Sequence, residues 1–115
     1  MKFSAIYTRI SVSATQKSEG ESLKSQLHRC QQRLSQMGVD PSSILTFEDD
    51  GFSGGSLERP NLTALLSMLR VGQIRRVVVT ELSRLSRDNY DSQQLFRTLN
   101  DHRVELIMLD FEGSQ

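Results

Sequence analysis

The chain has 115 residues, with 14 basic and 14 acidic side chains and a formal net charge of zero. That length fits one domain with a self-sufficient core, and the charge balance argues against a strong nonspecific grip on nucleic acid or anionic membrane. Cys30 is the single cysteine, which excludes an intrachain disulfide framework or multi-cysteine metal cluster and fits a reducing compartment. No stretch has the length and apolarity of a transmembrane helix or a signal peptide.

The first predicted element is a strand over "FSAIYT", Phe3 to Thr8, followed by the polar connection "ISVSATQKSEGE". Leu23, Leu27, Cys30, Leu34 and Met37 then recur at helical spacing and form one apolar stripe. Ser18 and Glu21 suit a capping box at the start of that helix, and Gly38 with Pro41 ends it. A second strand is expected over "SILTF", Ser43 to Phe47, and it leads into "EDDGFSGGSLER". Pro60 suits a first helical position, Leu62, Leu65, Leu66 and Leu69 form the apolar face, and Gly72 closes the helix. The third strand, "RVVVT" from Arg76 to Thr80, is β-branched and nearly continuous, as in a strand covered on both faces. After "ELSRLSRD" comes a third helix, with Asp88 as N-cap and Leu95, Phe96 and Leu99 toward the core. "VELIML", Val104 to Leu109, gives the fourth strand.

Strands alternating with helices predict an α/β fold, a mostly parallel sheet of four strands with helices packed on it. The three polar connections all follow C-terminal strand ends, the edge where open parallel sheets bind ligands. Tyr7, Arg9 and Ser11 alternate and share a face if the strand continues that far. The second connection adds Asp49, Asp50, Ser53 and Arg59, and the third adds Ser83, Arg84, Ser86 and Arg87. Eleven of the 14 basic residues are arginine, whose planar fork suits phosphate. Arginines from separate connections can neutralise a phosphodiester while a serine hydroxyl attacks it. Taken singly, each residue has a plainer role. Ser11 fits a turn, Arg84 and Arg87 a solvated face, and the Asp49–Asp50 pair a turn before Gly51, while His28 and His102 fit surface positions.

The motifs "YTRIS", "SLKSQ" (Ser22 to Gln26), "DGFSG" (Asp50 to Gly54), "ERP" (Glu58 to Pro60) and "LSRLSR" (Leu82 to Arg87) together resemble the serine recombinases of the resolvase/invertase type, especially their large, integrase-like branch. The resemblance implies a resolvase-like catalytic domain over residues 1–115, without the dimerisation helix and DNA-binding region that family members carry after it. It implies DNA recombination or integration in which Ser11 forms a 5′-phosphoserine link, surrounded by Arg9, Arg59, Arg84 and Arg87. Tyr7, Gln26, Asp50 and Ser53 match supporting or phosphate-lining positions. It further implies double-stranded DNA as partner, self-association into dimers and tetramers, no metal or other cofactor, no membrane, and a cytoplasmic, nucleoid-associated location. Ser83 stands where small resolvases carry an aspartate, and Met68 where they use a basic residue. The competing readings are a flavodoxin-like phosphate- or cofactor-binding domain, with the Ser/Thr-rich first connection as its cradle, and a non-catalytic dimerisation module.

Overall fold

The computed structural model describes residues 2–10, 22–50, 59–86 and 88–110, with the side chain of Asp50 excepted. In chain order the elements are β1 (Phe3–Ile10), α1 (Leu23–Gln36), β2 (Ile44–Asp50), α2 (Pro60–Arg70), β3 (Ile74–Val79), α3 (Asn89–Asp101) and β4 (Glu105–Met108), with short 3-10 turns at Pro41–Ser43 and Leu82–Arg84. The strands form one sheet in the order β2-β1-β3-β4, and every pairing is parallel. This is the α/β architecture that the alternating pattern predicts.

Alternation along β1 distributes its side chains to two unequal cores. Ala5 and Tyr7 join Leu62, Leu65, Leu69, Val77, Val79 and Leu99 in the larger cluster, between the sheet and α2 with α3. Ile6 meets Cys30, Leu34 and Val78 under α1 on the other face. Met68 packs half-buried against the larger cluster, where a basic side chain would be costly to desolvate.

Several boundaries differ from those read in the sequence. β1 runs to Ile10 and β2 to Asp50 because Arg9 pairs with Asp49 and Ile10 with Asp50 in the parallel register. Pairing across the sheet therefore carries polar residues into strands whose local apolar runs have ended. β3 starts at Ile74 and stops at Val79, and β4 spans only Glu105–Met108. The N-cap of α1 is Ser22, whose Oγ accepts a bond from Ser25 N at 3.1 Å; Ser18 and Glu21 lie outside the described residues. Met37 is the C-cap of α1 and is 42% exposed, so it does not continue the stripe. Phe96 is also exposed, while Ser92 and Leu99 are buried. Ser92, Leu95 and Leu99 share the sheet-facing side of α3, and Phe96 lies about 100° around the helix from Leu95.

The predicted helix ends at Gly38 and Gly72 hold, with φ of +79° and +81° in the left-handed region. Asp88 caps α3 as expected, accepting from Tyr90 N and Asp91 N. His28 is exposed, and the His102 ring lies 2.9 Å from the Thr98 carbonyl at the end of α3. Among the described residues, no helix is long and apolar enough to cross a membrane.

Candidate active site

The extension of β1 carries Arg9 to the C-terminal edge of the sheet, on the same face as Tyr7. There it meets the 3-10 turn that follows β3. Arg9 donates from Nε to the carbonyl of Arg84 at 3.1 Å and from Nη2 to that of Ser83 at 2.7 Å. Arg84 returns the contact, donating from Nη1 to the Arg9 carbonyl at 3.1 Å. From the start of α2, Arg59 donates from Nη1 to the Arg84 carbonyl at 2.8 Å and from Nη2 to that of Leu85. Guanidinium groups from three separate parts of the chain thus converge on one turn.

The convergence follows from what the turn lacks. The carbonyls ending a short helical turn have no intrahelical partner and carry the negative end of its dipole. Here Arg9 and Arg59 supply charge-assisted donors, each bond contributing roughly 1.5–3 kcal/mol. The Ser83 side chain is not needed for this contact, because its carbonyl is what Arg9 grips. Arg9, Arg59 and Arg84 are 0%, 1% and 6% exposed. Three cations withdrawn from water at one strand edge create a field that favours an anion. The guanidinium of Arg59 also lies over the Tyr7 ring, with Cζ 5.8 Å from its centroid.

Gln26 supports Arg9 from the opposite face. The last residue pair between β1 and β3 is Ile6 with Val78. Beyond it, the Gln26 amide accepts from Arg9 N at 3.2 Å and donates to Arg9 O at 3.0 Å. A buried side chain from α1 replaces the missing strand neighbour and holds the end of β1 in place.

Tyr7 leads to a residue that sequence reasoning underrated. Its hydroxyl donates to Asp49 Oδ2 at 2.7 Å. The same carboxylate accepts from Asn61 N at 3.0 Å and Leu62 N at 2.9 Å, first-turn donors of α2 that have no partner within the helix. Arg59, in the N-cap position, makes no side-chain capping bond. Asp49 therefore caps α2 from another strand, and it fixes the helix start that presents Arg59. Two signals pointed to it: Asp49 alternates with inward-facing Phe47, and "ERP" offers no good N-cap residue before Pro60. The resemblance had carried the supporting role to Asp50, whose side chain is outside the described residues. Ser11, Ser53 and Arg87 also lie outside them.

Burial, followed by the hydrogen bond to Asp49, pushes the Tyr7 phenol well above the ordinary tyrosine value. The folded state holds this proton more tightly than the unfolded chain does. Its contribution to stability is complete below about pH 10 and is lost as pH rises through the folded value. In a Tyr90→Phe background, one phenol remains. Alkaline titration of its absorbance is expected to show no phenolate at the ordinary tyrosine value of about 10, and phenolate only well above it, together with unfolding. Phenolate appearing at the ordinary value in a folded protein would remove Tyr7 from this buried pair.

The comparisons bear on what such an edge does. The family described as "Resolvase, N terminal domain" matches residues 4–115. A Bacillus subtilis (strain 168) protein described as "Putative DNA recombinase" is 32% identical over 108 residues, covering 94% of this chain but 20% of the relative. The chain thus spans about a fifth of that relative's length. Among solved structures, the N-terminal catalytic domain of TP901-1 integrase is 31% identical with a TM-score of 0.80, covering 95% of this chain and 78% of that one. A serine recombinase from Sulfolobus solfataricus is 26% identical with a TM-score of 0.76, over 97% of this chain and 71% of its own. A resolvase family site-specific recombinase from Streptococcus pneumoniae is 25% identical, also at 0.76, over 96% and 73%.

Proposed function

Because the chain belongs to the resolvase N-terminal domain family of serine recombinases, we propose that it breaks and rejoins DNA through a covalent bond between Ser11 and a 5′ phosphate. The observation that carries this reading is the reciprocal pair of bonds between Arg9 and Arg84. They join two residues far apart in sequence at the end of β1, and Ser11 is the next residue after that strand. Competing flavodoxin-like and purely structural readings have no comparable support from the family or from this cluster.

In the proposed reaction the Ser11 hydroxyl loses its proton, and its oxygen forms a bond to phosphorus. The bond from phosphorus to the 3′ oxygen breaks, and that oxygen leaves as a hydroxyl after taking up a proton. The arginine cluster, with Arg87 added, opposes the negative charge that grows on the non-bridging oxygens. Attack of a 3′ hydroxyl on the phosphoserine reverses the step and releases Ser11, so rejoining consumes no nucleotide. Tyr7 and Gln26 orient the strand end. Asp50 and Ser53 retain supporting roles in this reading, and duplex DNA and further copies of the protein are its partners.

The test is to incubate the full-length recombinase with a duplex bearing its recombination site, quench with denaturant, and map the protein–DNA adduct. The expected adduct is on Ser11 and is absent from Ser11→Ala. An adduct on another residue, or one that survives the substitution, would overturn the assignment.

A further inference from the structure

Glu81 introduces the turn on which the arginines converge. Its backbone is extended, with φ −152° and ψ 159°, and its side chain makes no capping bond to the turn. The carboxylate instead lies against Arg84, with Oε2 3.2 Å from Nη2. The two ends of the Arg84 guanidinium face different surroundings. Nη1 points inward to the Arg9 carbonyl. Nη2 meets a side chain that is 46% exposed, whereas that of Arg84 is 7% exposed. An anion arriving from solvent therefore encounters Glu81 on the open side of this arginine.

We propose that Glu81 is a resident counter-ion that occupies the anion position of Arg84 and is displaced when a DNA phosphate enters. It stabilises the buried cation while no DNA is bound and lowers the resting affinity of the site for other phosphates. The inference rests on the reading of Arg84 as a phosphate ligand. A merely structural role for the Glu81 side chain is disfavoured by how the turn is held. The Arg84 carbonyl receives both Arg9 Nε and Arg59 Nη1, the Ser83 carbonyl receives Arg9 Nη2, and the Leu85 carbonyl receives Arg59 Nη2. None of these bonds uses the Glu81 carboxylate. Neutralising it frees the guanidinium and leaves the backbone anchored.

The probe is inorganic phosphate, titrated into ¹⁵N-labelled protein while the Arg84 side-chain resonance is followed, in the parent and in Glu81→Gln. Removal of the partly exposed carboxylate is expected to tighten phosphate binding at Arg84 about three- to tenfold. Glu81→Ser, which removes the charge along with most of the side chain, serves as a second variant and is expected to tighten binding similarly. A structural role predicts the opposite, because a loosened turn weakens binding. Equal or weaker affinity in both variants, with the Arg84 resonance still responding, would overturn the counter-ion role and leave the reading of the site intact. No response of that resonance in any of the three proteins would overturn Arg84 as a phosphate ligand, and this proposal with it.

Discussion

Arg84→Ala is expected to slow DNA cleavage by about a hundredfold or more while the domain stays folded, the cost of removing one well-placed donor from developing charge. The fold is expected to survive because the Arg84 main chain contributes most of the local structure. Its carbonyl holds Arg9 and Arg59, and alanine keeps that carbonyl. The substitution removes the Nη1 bond to Arg9 O, but that oxygen retains its donor from Gln26 at 3.0 Å. A stability loss of about 1–2 kcal/mol follows. Single-turnover cleavage rates, compared with urea midpoints for the same samples, separate the two effects. Cleavage near the parental rate would show that Arg84 only clamps the end of β1. Arg84→Lys is expected to recover little, because an ammonium supplies a point charge without the fork that reaches Arg9 and an anion together.

Asp49→Ala is expected to have the largest effect on stability, about 3–5 kcal/mol. Asp49 is 1% exposed, and its carboxylate accepts from the Tyr7 hydroxyl and from two backbone N–H groups of α2. Alanine leaves all three donors in a space where water must be rebuilt around them, and it removes a negative charge from the positive end of a helix. Against a total of about 5–15 kcal/mol for a domain of this kind, such a loss approaches unfolding. Asp49→Asn keeps one carbonyl acceptor, and about half the loss is expected. The check is a urea titration in which the midpoint falls while the slope is unchanged. A change below about 1 kcal/mol in the alanine variant would mean that α2 is capped by other means. Because Asp49 fixes the helix start beside Arg59, the asparagine variant is also expected to lower cleavage more than its stability loss explains.

The alternating elements, the parallel sheet, and the Gly38, Gly72 and Asp88 boundaries were legible in the chain because each depends on neighbours a few residues away. Side-chain periodicity, a glycine in the left-handed region and an Asp that bonds N–H groups two and three residues on are all local devices. Tertiary structure decided the rest. It extended β1 through Arg9 by pairing with β2, turned Phe96 to solvent, and gave the capping of α2 to Asp49 rather than to its own N-cap residue. It also set the donors of Arg9 and Arg59 on the carbonyls of a single turn. A buried polar group must find a partner wherever the fold places one. For these arginines that partner lies 25 to 75 residues away, a distance across which local sequence pattern carries no information.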